Sequence, residues 1–219
     1  MLFAVIFFFA LGAIVDSREA RGQSCPTGWN SRTFTFTYDT CQVSVTYCYI
    51  CPPTHMVEVQ LSYYSVSPPG CATNPEDLYI EVQRAAHNDL INVCASHIDP
   101  CTDPISTTSN MTVNQKMCWF ARNRPSQNRV EYIHCPDTEA YCATNYVLCI
   151  DHSETPPKQK WFKLNSTLIG DVSECPLIDL FFKDNGYPSH LAGHPNPMGV
   201  PWQTPCFKFS EDGCLEIPW

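Results

Sequence analysis

Thr33-Phe34-Thr35-Phe36-Thr37-Tyr38 alternates polar and apolar side chains with period two, the pattern of a strand with one face on a core and one in water. Val43, Val45 and Tyr47 repeat it, as do Val57, Val59, Leu61 and Tyr63 with Glu58, Gln60 and Ser62 between them. Three antiparallel strands follow, interrupted at Asp39-Thr40 and Pro52-Pro53. The period then changes. Asn74-Pro75-Glu76-Asp77 reads as a helix N-cap, a proline at the first helical position and two acids in the first turn. Leu78, Val82, Ala86, Leu90 and Val93/Cys94 continue at helical spacing, with Glu81, Arg84, Asn88 and Asn92 on the opposite face. This predicts one long helix, its apolar stripe on the sheet, ending before Asp99-Pro100.

Thr102 to Asn114 reads as a polar loop. Strands are expected near Lys116 to Ala121, Arg129 to Cys135, Tyr141 to Ile150 and Trp161 to Leu168, broken at Arg124-Pro125-Ser126 and Thr155-Pro156-Pro157-Lys158. From Pro176 onward seven prolines and four glycines fall in 44 residues, too dense for long regular elements. The fold class is therefore α+β: mainly antiparallel β with one long helix in the first half, crosslinked by disulfides, and a Pro/Gly-rich irregular C-terminal tail. Four segments follow: 1–22, a signal peptide; 23–114, a β-meander plus helix module; 115–175, a second β-rich module; and 176–219, an irregular tail pinned by disulfides.

Leu2 to Val15 is an almost unbroken apolar run of 14 residues, shorter than a helix needs to cross about 30 Å of hydrocarbon and of the length of a signal-peptide core. Cleavage fits after Ser17 or after Gly22. Beyond Cys25 no apolar run approaches a membrane span, so none is expected in the mature chain. Only 16% of residues are charged, and 22 acidic against 13 basic side chains give a net charge of −9. No basic excess exists to bind a phosphate backbone or an anionic bilayer, which argues against nucleic acid as a partner.

The 14 cysteines are Cys25, Cys41, Cys48, Cys51, Cys71, Cys94, Cys101, Cys118, Cys135, Cys142, Cys149, Cys175, Cys206 and Cys214. An even number spread along the whole mature chain fits an oxidising compartment, periplasmic, extracellular or at the cell surface. They allow on the order of 10⁵ connectivities. Geometry removes some of these. Cys41 and Cys48, like Cys142 and Cys149, are seven apart in strand-like segments, roughly 23 Å against a limit of about 7 Å for a bridge. Each should reach a different partner. A C-x5-Y-C segment occurs twice, at Cys41 to Cys48 and at Cys135 to Cys142, and each half of the chain owns seven cysteines. Complete oxidation therefore requires an odd number of bridges between the halves.

The motifs Cys25-Pro26-x-Gly28-Trp29, the C-x6-C-Y-x-C step from Cys41 to Cys51, a helix closing on Asp99-Pro100-Cys101, the Cys118-Trp119 strand and Cys135-x5-Tyr141-Cys142-x6-Cys149 span most of the mature chain. In these the sequence resembles cysteine-rich secreted proteins predicted from environmental bacterial genomes. The resemblance implies an exported bacterial protein and carries over no activity and no functional residue. Asn110-Met111-Thr112 and Asn165-Ser166-Thr167 would be glycan acceptors in a eukaryotic secretory pathway and loop chemistry in a bacterium.

Candidate chemistry is sparse. Cys48-Tyr49-Ile50-Cys51 has the spacing of redox pairs and of half a zinc site, yet it ends a strand rather than opening a helix, which favours structural disulfides. His190 and His194 stand four apart among prolines and glycines; a loop joining them with Asp184 would make a metal site, and with it a secreted metal-assisted hydrolase. No G-x-S-x-G elbow or calcium loop occurs. Carboxylates gather at Glu76, Asp77, Glu81, Asp171, Glu174 and Asp179, and a glycosidase would need two of them at a defined separation. Neighbouring aromatics on strands face opposite ways, so Tyr63 or Tyr64, Trp119 or Phe120, and Trp161 or Phe162 should reach solvent on any wet sheet face. Tyr63, Tyr64, Trp119 and Trp161 are thus candidates to meet a protein or glycan partner. The sequence calls for no cofactor and assigns no catalytic residue. The reading is a secreted, disulfide-stabilised binding or structural module.

Overall fold

A computed structural model describes residues 25–51, 56–101, 109–136, 138–155, 157–173, 175–183, 185–211 and 214–215. The expected signal peptide, Asp184 and Glu174 lie outside them. Nine strands and one long helix follow in the order β1 (Asn30–Tyr38), β2 (Cys41–Ile50), β3 (Met56–Ser67), α1 (Pro75–Cys94), β4 (Ser109–Lys116), β5 (Trp119–Arg124), β6 (Arg129–His134), β7 (Tyr141–Asp151), β8 (Lys158–Ile169) and β9 (Trp202–Gln203). The fold is α+β and mainly antiparallel. No helix among the described residues is long and apolar enough to cross a membrane.

All nine strands belong to one sheet that branches at β3. One edge of β3 pairs with β2, which pairs with β1; the other pairs with β4 over its first half and with β6 over its second. β4 leads to β7 and β8, and β6 leads to β5 and β9. The alternation read in the sequence explains β1 to β3: Val43, Val45, Val57, Val59 and Leu61 all point to the core. β3 and β4 run parallel, which requires a crossover, and α1 supplies it.

The helix begins where its signals lie. The Asn74 side chain accepts hydrogen bonds from the Glu76 and Asp77 backbone N–H groups at 3.0 and 3.4 Å, and Leu78, Val82, Ala86, Leu90 and Cys94 are buried against the sheet. Two disulfides tack its ends to β2. Cys41–Cys71 joins the start of β2 to the segment before the helix, and Cys51–Cys94 joins the residue after β2 to the last helical residue. The lengths agree, because a ten-residue strand and a 20-residue helix span about 33 Å and about 30 Å respectively. Asp89 adds a polar clamp. It takes Arg32 Nε and Nη2 of β1 at 2.5 and 2.9 Å and Tyr47 OH of β2 at 2.7 Å. Burial alone would raise the Asp89 carboxyl, but the bonds from Arg32 and Tyr47 outweigh it and hold it below the ordinary carboxylate range.

One expectation needs correction, and with it the placing of the two sequons. Residues 109–116 are a strand, not part of a loop, and lie inside the sheet between β3 and β7. β4 alternates Ser109, Met111, Val113 and Gln115 inward with Asn110, Thr112, Asn114 and Lys116 outward; only two of its eight residues are apolar, so its period-two pattern was hidden by polarity. The sequons at Asn110 and Asn165 accordingly sit on strands β4 and β8 rather than in loops. The tail is irregular, but it is also a core element. Ile178, Phe182, Trp202, Phe207 and Phe209 join the main core, and Trp119 and Phe207 exchange backbone hydrogen bonds at 2.7 and 2.8 Å. Gly186 docks this tail on the segment before α1, its N–H donating to Thr73 O; with φ at +68°, a Cβ there would lie 2.2 Å from Ala72 O, so only glycine fits.

All 14 cysteines are paired. Cys25–Cys48, Cys41–Cys71 and Cys51–Cys94 lie in the first half; Cys118–Cys175 lies within the second, and Cys135–Cys206 and Cys142–Cys214 staple the tail to it; Cys101–Cys149 alone joins the halves. One is odd, as parity requires. The two C-x5-Y-C segments are placed differently: β2 carries both cysteines of the first, whereas Cys135 and Cys142 flank the β6–β7 connection.

Candidate anion-binding site

The β5–β6 hairpin turns through Pro125–Gln127 and Asn128, whose left-handed φ of +51° closes the turn. Its register sets Phe120 opposite Ile133, Arg122 opposite Glu131 and Arg124 opposite Arg129. β3 extends two of these rows, with Tyr63 opposite Ile133 and Ser65 opposite Glu131. Cross-strand partners share a face, so Tyr63, Ile133 and Phe120 form one row and Ser65, Glu131 and Arg122 the next. Trp119, Ala121, Val130 and Tyr132 turn the other way, into the core.

Glu131 lies beneath three guanidinium groups. Its side chain is 3% exposed, against 14% for Arg122 and 39% each for Arg124 and Arg129. Glu131 Oε2 accepts from Arg122 Nε and, at 3.4 Å, from Arg124 Nε; Oε1 accepts from Arg129 Nε and Nη2 at 2.9 and 2.5 Å and from Tyr63 OH at 3.4 Å. Burial would raise this carboxyl, but the hydrogen bonds and charges of Arg122 and Arg129 prevail and hold it below its ordinary range. It stays ionised at neutral pH. Burial raises the Tyr63 phenol, which remains a neutral donor.

Among the described residues Glu131 is the only acidic partner of the three arginines. One negative against three positive charges leaves an excess of two, in a chain of net charge −9. Arg124 and Arg129 also face each other across the hairpin, a like-charge pairing that is destabilising on an ordinary sheet. Guanidinium forks are matched to planar or tetrahedral oxyanions, and the carboxylate beneath pre-orients them. The arrangement is chemically suited to hold an anion, not to transfer a proton.

The sequence candidates are distributed differently. Tyr64 and Trp119 are core residues and cannot face a ligand: Tyr64 stacks on Tyr132 with ring centroids 4.6 Å apart, and Trp119 packs edge-on against Tyr79. Their neighbours Tyr63 and Phe120 take the outer positions. Trp161 is half-buried against Tyr146 and His87, while Phe162 is 44% exposed. Cys48 and Cys51 pair with Cys25 and Cys94, so they are not a redox couple. His190 sits in a 3₁₀ turn, Ser189–Leu191, and His194 Nδ1 accepts from Asn196 N–H at 3.1 Å. No group of three metal-ligating side chains comes together among the described residues, and Asp184 lies outside them. Glu76 and Asp179 do converge, lining with Glu211 and Phe209 a cleft of about 220 Å³ beside the helix start; burial and then Asp179 raise the Glu76 carboxyl. The arginine group was missed although its signal was present: R-x-R, a turn, then R-x-E is an alternating charge pattern on a hairpin.

Fold and site together define a disulfide-crosslinked α+β protein with a cationic patch on the open face of its sheet. Compared with family models, curated proteins and solved structures, the chain matches none.

Proposed function

We propose that this is an exported binding module that recognises an anionic ligand through Arg122, Arg124 and Arg129. The three guanidiniums gathered over one buried carboxylate carry the reading. Seven disulfides support an oxidising, extracytoplasmic setting, as does the resemblance to secreted cysteine-rich proteins. The ligand group would lie across the exposed Arg124 and Arg129, with Arg122 and Glu131 fixing their geometry.

Retention on a polyanionic cation-exchange matrix at low ionic strength and pH 7 tests this directly. A protein of net charge −9 is repelled by such a matrix unless a localised cationic patch holds it. The wild type should be retained and released by salt, and the Arg124→Gln/Arg129→Gln variant, with an unchanged melting temperature, should flow through. A wild type that flows through, or a variant retained equally, refutes the reading.

A further inference from the structure

The surroundings of the arginines narrow the class of ligand. Tyr63 and Phe120 stand on either side of buried Ile133, two strand spacings or roughly 10 Å apart, and their row lies about 7 Å along the strands from the Glu131–Arg122 row. Phe120 is held by a second small core that includes Cys118, Cys135 and Cys175, so its position is rigid. Half-buried rings beside fixed guanidiniums offer apolar contact and anion contact to the same molecule.

The open face continues past β3 with one acid, Glu58 opposite Thr112, and one base, Lys116 at the end of β4, and is otherwise polar and uncharged near them. Gln60 pairs with Asn114, which pairs with Ala143 and onward with Thr167. In the next row Thr112 Oγ1 donates to Asn145 Oδ1 and Asn145 Nδ2 to Asn165 Oδ1, both at 2.8 Å. This amide and hydroxyl strip suits a chain rich in hydroxyl groups. An extended peptide adding as a strand is disfavoured at the arginines, because the outer edge of β5 is already closed by β9 and by the Thr204 N–H to Ala121 O bond.

We infer that the ligand of this face is an acidic polysaccharide, its sugar rings against Tyr63 and Phe120 and its carboxylate or sulfate groups on Arg124 and Arg129. The inference rests on the anion-binding reading above and adds the sugar.

Affinity electrophoresis of the disulfide-intact protein in gels containing polygalacturonate, dextran sulfate, neutral dextran or polyglutamate tests it. Retardation by at least one of the acidic polysaccharides, clearly stronger than that by polyglutamate, and none by neutral dextran, is expected; which of the two retards identifies carboxylate or sulfate. Tyr63→Ala should weaken that binding by about tenfold, equivalent to 1.4 kcal/mol, while Tyr63→Phe, which keeps the ring, keeps most of it. Polyglutamate binding as tightly as the polysaccharides, with Tyr63→Ala unchanged, overturns the sugar and leaves the anion site standing. Binding to none of the four polymers by a protein that the cation-exchange matrix retains also overturns the sugar alone. A wild type that neither the polymers nor the matrix retains overturns both readings.

Discussion

His134 shows how one residue can govern the pH response. It is buried at the end of β6, edge-on to Trp119 with centroids 6.2 Å apart, and burial pushes its imidazole down to about 4. His87, buried on α1, is pushed down to about 3 by the same cause. An unfolded histidine titrates near 6.5. A folded pKa below the unfolded one means that the unfolded chain takes up protons first on acidification. The stabilisation is therefore full above about pH 6.5 and is lost as pH falls towards 4, at no more than about 1.4 kcal/mol per pH unit for each histidine. Urea unfolding at pH 7, 6 and 5 should show falling midpoints, and His134→Gln should flatten the fall even if it lowers the value at pH 7. A slope equal to that of the wild type would show that His134 does not drive it. Glu131 has the same sign at lower pH, its ion pairs weakening only as the carboxyl protonates.

Among the elements, α1 depends on both its cap and its tethers. Losing the Asn74 side chain leaves the Glu76 and Asp77 N–H groups without that acceptor, which typically costs about 1 kcal/mol. Asn74→Ala should lower the denaturant midpoint accordingly with an unchanged slope, whereas Asn74→Ser should restore most of the loss. Equal midpoints for wild type and Asn74→Ala would mean that Cys41–Cys71 alone holds the helix start. β8 is the opposite case, a long strand paired among the described residues with β7 alone and carrying exposed Phe162 and Leu164. Lys158, Lys160 and Lys163 and the bulge opposite Asn145/Tyr146 are features that blunt an edge against pairing with other chains.

Over the whole molecule, Cys101–Cys149 is the covalent joint between the halves. It closes a loop of 48 residues, for which chain entropy gives roughly 4 kcal/mol. The sheet crosses the same boundary, with β3 paired to both β4 and β6. Removing the bridge by Cys101→Ala/Cys149→Ala should therefore destabilise the protein by about that amount while leaving one cooperative transition by circular dichroism. Two separate transitions would show that the disulfide, rather than the sheet, makes the halves a unit.

The elements whose chemistry is local could be read directly. Period-two alternation placed β1, β2 and β3, and the Asn74-Pro75 cap with its helical apolar spacing placed α1, because backbone geometry fixes those periods wherever they occur. Parity set the odd number of bridges between the halves, and reach along a strand kept Cys41 from Cys48 and Cys142 from Cys149. Other features depend on what a residue is placed against. β4 is a strand because β3 and β7 pair with its two edges, and Phe207 and Phe209 are core residues because the tail folds back along β5. Tyr63 and Tyr64 are identical side chains that the pleat sends to opposite faces, so which of them meets solvent depends on which face the helix covers. The arginines were visible as letters, but a hairpin register had to set Arg124 opposite Arg129, and β3 to bring Tyr63 alongside, before they formed a site. Local periodicity follows from the bonded chain, whereas a surface shared by three strands exists only once those strands are packed together.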